Sequence, residues 1–203
     1  MESILKRMTI QELIVYIGKF MFEHDLTDIA GGNISAKVND RVYMTPTLVG
    51  NQFHWNIDPV DIVVGSLSKE DELKNHPCFT REGLSHLAIY KAFPFVNAVI
   101  HAHPKYILPF TAHSKPIPAI LNAAKRFGDL KYHEEAPSYS QDQADKIVKV
   151  LKGQEDRMKV KAAGVLMPRH GVIAAGGDLL TVLDCVQRMN TNAFAVLAQQ
   201  WII

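Results

Sequence analysis

The sequence predicts one α/β domain, residues 1–203, around a central, mostly antiparallel sheet. Three observations carry this reading. Helical-period apolar stripes occupy both ends of the chain. Short β-type runs joined by tight turns lie between them. No Pro/Gly/Ser-rich linker divides the chain, and 203 residues with 47% hydrophobic content suit one compact core better than two.

Ile10, Leu13, Ile14, Tyr16, Ile17, Phe20, Met21 and Phe22 recur at helical spacing, so the spacing predicts an amphipathic helix from Thr9 to about Leu26. Thr9 and Glu12 have the spacing of a capping box. The turn Asp28-Ile29-Ala30-Gly31-Gly32-Asn33 follows. Ile34–Val38 and Arg41–Thr45, joined by Asn39-Asp40, read as a hairpin. Asp61–Leu67 reads as a strand and the charged stretch Lys69–Asn75 as a solvated loop. Glu82–Phe93 reads as a helix closed by Pro94. Asn97–His103 is an apolar strand, Pro116–Leu121 a short strand, and Gln141–Leu151 an exposed helix. Gly164–Ala175 holds two apolar runs flanking Pro168-Arg169-His170-Gly171. Gly176-Gly177 breaks the chain, and Asp178 caps a last helix to about Gln200.

Composition narrows the class of function. Net charge is +1, from 22 basic and 21 acidic residues, so the basic excess of a nucleic-acid binder is missing. No run approaches the roughly 18 apolar residues of a membrane span, and the first residues lack the order of a secretory signal. Cys78 and Cys185 stand far apart and read as free thiols of a reducing compartment. The expectation is a cytoplasmic protein with neither a membrane nor a nucleic-acid partner.

The candidate chemistry lies in a few polar residues. Side chains two apart on a strand share a face, so His101 and His103 can reach one metal ion. They can equally be ordinary histidines at a strand end. His170, before Gly171, is either a turn residue or a third ligand. Three imidazoles leave a tetrahedral cation one open position. Glu82 is either a cap at a helix start or an acid/base. His86, four residues on, shares its helix face and reads as packed or hydrogen-bonded rather than as a ligand. Gly31-Gly32-Asn33 is a turn whose N–H groups can nest an anion. Thr47 and Thr80 offer hydroxyls, and Arg81 is either a surface charge or a fork for a phosphate or carboxylate.

Taken together, the chain resembles the class II aldolase/adducin family. The matching segments are Ala30-Gly31-Gly32-Asn33-Ile34-Ser35, Tyr43-Met44-Thr45-Pro46-Thr47, Glu82 with His86, Asn97 through Pro104, and Arg169-His170-Gly171-Val172-Ile173-Ala174. The resemblance implies a three-layer α/β/α fold and a zinc-dependent lyase of the sugar-phosphate-aldolase type. The same family includes epimerases, dehydratases and decarboxylases, and its members are usually homotetramers. By position, His101, His103 and His170 look like the zinc ligands and Glu82 like the acid/base. Gly32, Asn33, Thr47 and Thr80 fall where relatives hold the substrate's phosphate. Cobalt, manganese or iron would fit the same ligands. Such a cation favours reactions that share an enediolate, so the fold does not choose among them. Retention of Glu82, where the family's epimerases carry aspartate, favours a lyase. Retention of all four groups argues against a non-catalytic, adducin-like binding domain.

The departures are as informative. Ala30 and Gly31 stand where the family's phosphate aldolases carry hydroxyls, and Thr80-Arg81-Glu82 replaces Ser-Ser-Glu. A guanidinium gained and hydroxyls lost point to a small anionic hydroxy-carbonyl substrate whose anion differs from a sugar phosphate, a carboxylate in the first instance and a repositioned phosphate as the alternative. The family's proton-donor tyrosine aligns with Asn122; Tyr132 or Tyr139 could substitute for it, and each is otherwise readable as packing.

Overall fold

The computed structural model describes residues 4–202. Helix α1 (Ile10–Glu23) starts at the expected capping box, where Thr9 Oγ1 accepts the Glu12 N–H and the Glu12 carboxylate accepts the Thr9 N–H at 2.7 Å. Strands β1 (Asn33–Val38) and β2 (Arg41–Met44) form the expected hairpin, with Val38 opposite Arg41. Asn39 turns it at φ 55°, a left-handed conformation that asparagine tolerates. Then come α2 (Val49–Phe53), β3 (Val63–Ser66), α3 (Glu70–Lys74), α4 (Gly83–Ala92) and β4 (Ala98–Ala102). The second half runs α5 (Leu108–Ala112), α6 (Asn122–Lys125), β5 (Lys131–Tyr132), α7 (Gln141–Leu151), α8 (Glu155–Val160), β6 (Ala162–Met167), β7 (Gly171–Gly176) and α9 (Leu179–Ala198). Asp178 caps α9 by accepting the Thr181 N–H at 2.9 Å.

The seven strands form one sheet in the order β3-β2-β1-β4-β7-β6-β5. Every pairing is antiparallel except β5 with β6. Period-2 alternation divides the apolar side chains between two faces. Ile34, Ala98, Ile100, Val172 and Ala174 pack with Ile14, Ile17 and Met21 of α1 and Val182 and Met189 of α9. Val42, Val99, Val165 and Ile173 pack with Leu87 and Ile89 of α4 and Ile147 and Leu151 of α7. The sheet is thus covered by helices on both sides, the three-layer arrangement. Burying each such aliphatic side chain contributes about 1.5–3 kcal/mol relative to exposure. No described helix is long and apolar enough to cross a membrane.

Three local expectations differ from the structure. The charged stretch after β3 is the helix α3 rather than a loop. Leu73 is buried as its anchor, and Lys74 pairs with Glu70 at 3.0 Å across one turn. Pro116–Leu121 is not a strand: only Ile117 makes a bridge, to Leu130. The flanking Pro116 and Pro118 have no N–H to give to a ladder. Helix α7 is amphipathic rather than exposed, with Gln143, Ala144, Ile147 and Leu151 buried.

One polar chain crosses the α4 layer. Ser35 Oγ lies 2.7 Å from both His86 Nδ1 and Tyr90 Oη, and all three side chains are buried. Burial pushes the His86 pKa down from 6.5 to about 3. Its folded pKa lies below the unfolded one, so this contribution is present above about pH 6.5 and is lost as pH falls toward 3. Chelator-treated wild-type protein is therefore expected to lose on the order of 1 kcal/mol more stability than His86→Gln between about pH 7.5 and 5.5. Urea unfolding of both proteins at both pH values checks this; equal losses would place the slope elsewhere.

Candidate metal centre and active site

The site forms where the ends of β1, β4 and β7 lie side by side. Asn33 is opposite His101, and His101 is opposite Ile173. His101 points to the α4 face of the sheet, between the core residues Val99 and Ile173 of that face. His103 lies just past the end of β4, two residues on. His170 sits in the turn from β6 to β7, where its N–H donates to Met167 O at 3.0 Å and Arg169 adopts φ 54°. Gly171 lets this turn close on β4: a Cβ there would lie 2.4 Å from Ala102 O and 2.8 Å from His103 Cδ2.

The three imidazole rings stand edge to face with centroids 4.7, 5.0 and 5.3 Å apart. One nitrogen from each lies within 4.8 Å of the others. His101 Nδ1 lies 3.1 Å from Val172 O, and His103 Nδ1 lies 3.1 Å from Asp28 Oδ1. Both partners only accept, so Nδ1 carries the proton and each Nε2 presents a lone pair. These two Nε2 atoms are buried and have no hydrogen-bond partner. Desolvation holds all three rings toward the neutral, ligating form, His101 well below its ordinary value and His170 at about 4. Orphaned lone pairs on neutral imidazoles are the donor set a divalent cation fits, with a fourth position left open.

Glu82 precedes α4 as its N-cap residue but makes no side-chain cap bond. Its carboxylate instead turns inward and is 1% exposed. Asn33 Nδ2 donates to Oε2 at 2.5 Å. Oε1 is buried without a hydrogen bond, 3.2 Å from His170 Nε2 and 3.7 Å from His101 Nε2. Desolvation raises the pKa of Glu82, against the Asn33 hydrogen bond and the Arg81 charge. Burial disfavours the charged forms of both Glu82 and His170 at this 3.2 Å approach.

The other residues singled out from sequence fall in two groups. Gly32 is buried at φ +97°, with Thr27 Oγ1 where a side chain would begin, and Asn33 beside it anchors Glu82. Arg81 reaches the same turn, where Nη2 donates to Ala30 O at 2.6 Å. Thr47 is half-buried, with its N–H donating to Cys78 O, and Thr80 is buried, with its carbonyl accepting from Gly83. Neither threonine makes a hydrogen bond to the histidine group among the described residues.

Two more side chains neighbour the site: Asp28, which carried no local signal, and Tyr139, one of the two tyrosines considered in place of the family's. Asp28 Oδ1 faces His103 and also accepts the N–H groups of Ala30 and Gly31, at 2.8 and 3.1 Å. Its partner histidine lies 75 residues away in sequence. The Tyr139 ring stands edge-on to His170 at 5.9 Å. Cys78 and Cys185 are both free, as expected from their spacing.

The model of the class II aldolase and adducin N-terminal domain matches residues 12–196. The chain is 25% identical over 189 residues to the 3-oxo-tetronate 4-phosphate decarboxylase of Haemophilus influenzae, covering 90% of this chain and 84% of the relative. It is 30% identical over 153 residues to the L-fuculose phosphate aldolase of Methanococcus vannielii, covering 74% and 75% of the two chains. Among solved structures, an L-fuculose 1-phosphate aldolase superposes with a TM-score of 0.80 at 24% identity, covering 96% of this chain and 88% of that one. The match along nearly the whole sequence, carried on the same seven-stranded three-layer fold, means that the chain belongs to the class II aldolase and adducin N-terminal domain family.

Proposed function

We propose that this chain, read as one catalytic domain over residues 1–203, is a metal-dependent lyase acting on a small hydroxy-carbonyl substrate with an anionic group. His101, His103 and His170 would hold the cation, zinc in the first instance, and Glu82 would be the acid/base. The observation that carries this reading is the convergence of three imidazole nitrogens within 4.8 Å, beside a buried carboxylate whose Oε1 has no hydrogen bond. The similarity to two enzymes named as acting on sugar phosphates supports it. Assembly as a homotetramer and residence in the cytoplasm belong to the same proposal.

When bound, the cation supplies Lewis-acid polarisation of a substrate carbonyl. Everything else falls to the protein's own side chains. Asn33 occupies Oε2 of Glu82, so proton exchange with substrate is left to Oε1, on the side of the histidines. Burial raises the proton affinity of that carboxylate, so it can take a proton from a carbon or hydroxyl and return it without a large energetic step. Asp28 and the Val172 carbonyl hold the rings of His103 and His101 in one tautomer. The deep placement of His101 and Glu82 keeps bulk water from the reacting atoms.

A second reading, decarboxylation at the same site, is supported by the decarboxylase relative that aligns over 90% of the chain. Carbon dioxide release against aldehyde release separates the two with any substrate that turns over.

Tag-free protein is expected to carry about one zinc per chain by mass spectrometry, and His101→Ala to lose it; a wild type that stays metal-free after reconstitution would overturn the centre. Glu82→Gln is expected to keep the metal and lose roughly 10²- to 10⁴-fold in turnover, and unchanged turnover would remove Glu82 from the chemistry. Asp28→Asn, which breaks the acceptor role toward His103, is expected to weaken zinc affinity roughly 10- to 100-fold in a competition titration against a chromophoric chelator.

A further inference from the structure

Two arginines flank the histidine group, and they differ in one respect. Arg169 Nη1 is paired with Glu135 at 2.7 Å. Arg81 has no acidic ion-pair partner among the described residues. Its Nη2 donates to the Ala30 carbonyl, and its guanidinium lies 5.3 Å from the centre of the Tyr139 ring.

Both of these supports touch the histidines. Ala30 precedes Gly31, whose Cβ, if it had one, would lie 2.3 Å from His103 Cε1. Tyr139 stands edge-on to His170 at 5.9 Å. The guanidinium is therefore held across the rim of the site, between the neighbours of two of the three imidazoles. Tyr139 itself adopts φ 66°, a left-handed conformation that costs a tyrosine roughly 1 kcal/mol or more. Its N–H donates to Gln143 Oε1 at 3.0 Å, which ties this turn to α7. The strained turn keeps the ring under the guanidinium rather than in the core.

Glu82 senses the Arg81 charge but forms no ion pair with it, so the guanidinium N–H groups not bound to Ala30 remain open to an anion from outside the chain. One carbonyl takes one of the five guanidinium N–H groups, and the remaining fork can grip a planar oxyanion through two parallel hydrogen bonds. One permanent cation matches a monoanion. A phosphate dianion would ask for more donors than this one fork supplies.

We propose that Arg81, pinned by Ala30 and stacked on Tyr139, binds a carboxylate of the substrate, so that the substrate class is hydroxy-carbonyl acids. This assignment rests on the lyase reading of the histidine centre, but the guanidinium site itself does not require the cation to be present.

Three ligands that share a hydroxymethyl ketone and differ in charge test it: hydroxypyruvate, dihydroxyacetone phosphate and neutral dihydroxyacetone. Their binding is measured by calorimetry on zinc-loaded and on chelator-treated protein, with metal content determined on the same samples. Wild-type protein is expected to bind hydroxypyruvate at least tenfold more tightly than either other ligand. Arg81→Ala should lose roughly 10- to 100-fold for hydroxypyruvate alone, with zinc content and dihydroxyacetone binding unchanged. Arg81→Lys should recover only part of this, because an ammonium lacks the fork. Tyr139→Phe should behave as wild type and Tyr139→Leu should weaken hydroxypyruvate binding several-fold, since the ring and not the hydroxyl supports the cation.

An equal loss for all three ligands in Arg81→Ala would make the arginine structural and overturn the proposal. Arg81-dependent preference for dihydroxyacetone phosphate would overturn it in favour of a phosphate site. Protein that holds no zinc but still discriminates through Arg81 would overturn the metal reading and leave the carboxylate site standing. Zinc-loaded protein without discrimination would do the reverse.

Discussion

The site depends on the register in which β4 lies between β1 and β7. Asn33 opposite His101, and His101 opposite Ile173, put the anchor of Glu82, the most buried histidine and the approach to His170 on adjacent strands. In a sheet, a slip of one residue turns every side chain to the other face. A slip of β4 would send His101 toward α1 and α9 and bring Ile100 to the face of Glu82. The apolar alternation of Ala98, Val99 and Ile100, each buried in one of two different cores, forbids that slip. The hydrophobic pattern of one short strand therefore protects the polar geometry at its end.

The same burial that fixes the geometry makes it costly. His101 Nε2, His103 Nε2 and Glu82 Oε1 are withdrawn from water and left without partners. Each such group costs on the order of 1–3 kcal/mol when unsatisfied. Desolvation pushes the pKa values of the rings down and that of Glu82 up, so the lone pairs of the imidazoles stay available. The rim carries the opposite character: the Arg81 guanidinium lies against a carbonyl and an aromatic face. Desolvated imidazoles beneath a cationic rim are the arrangement on which the proposed carboxylate site rests.

Much of this was legible in the sequence because it is written in local patterns. Thr9 and Glu12 announced α1, Asn39-Asp40 the hairpin, and the two-residue spacing of His101 and His103 their common face. Other features depended on contacts between distant segments. The charge of the α3 segment suggested a loop, because the anchoring of Leu73 beneath Gly65 appears only in three dimensions. Pro116 and Pro118 were on the page, yet the apolar residues between them suggested a strand that two missing N–H groups do not permit. Whether Glu82 was a cap or an inward carboxylate turned on Asn33, 49 residues earlier, and Asp28 and Tyr139 carried no mark of their neighbours. Spacing reveals a shared face, while a shared site formed across a sheet is revealed by register.

The order of the three histidines along the chain has a consequence for biosynthesis. His101 lies in β4 and His103 just past its end, whereas His170 is added 67 residues after His103 and reaches them only when the β6–β7 turn folds back through Gly171. A chain still emerging from the ribosome has two imidazoles at a strand edge and no third. Under the proposed centre, three-ligand loading with a cation would come only after synthesis has passed β7 and the sheet has closed around β4. The growing chain would then fold its first half without a tightly held ion at the unfinished edge.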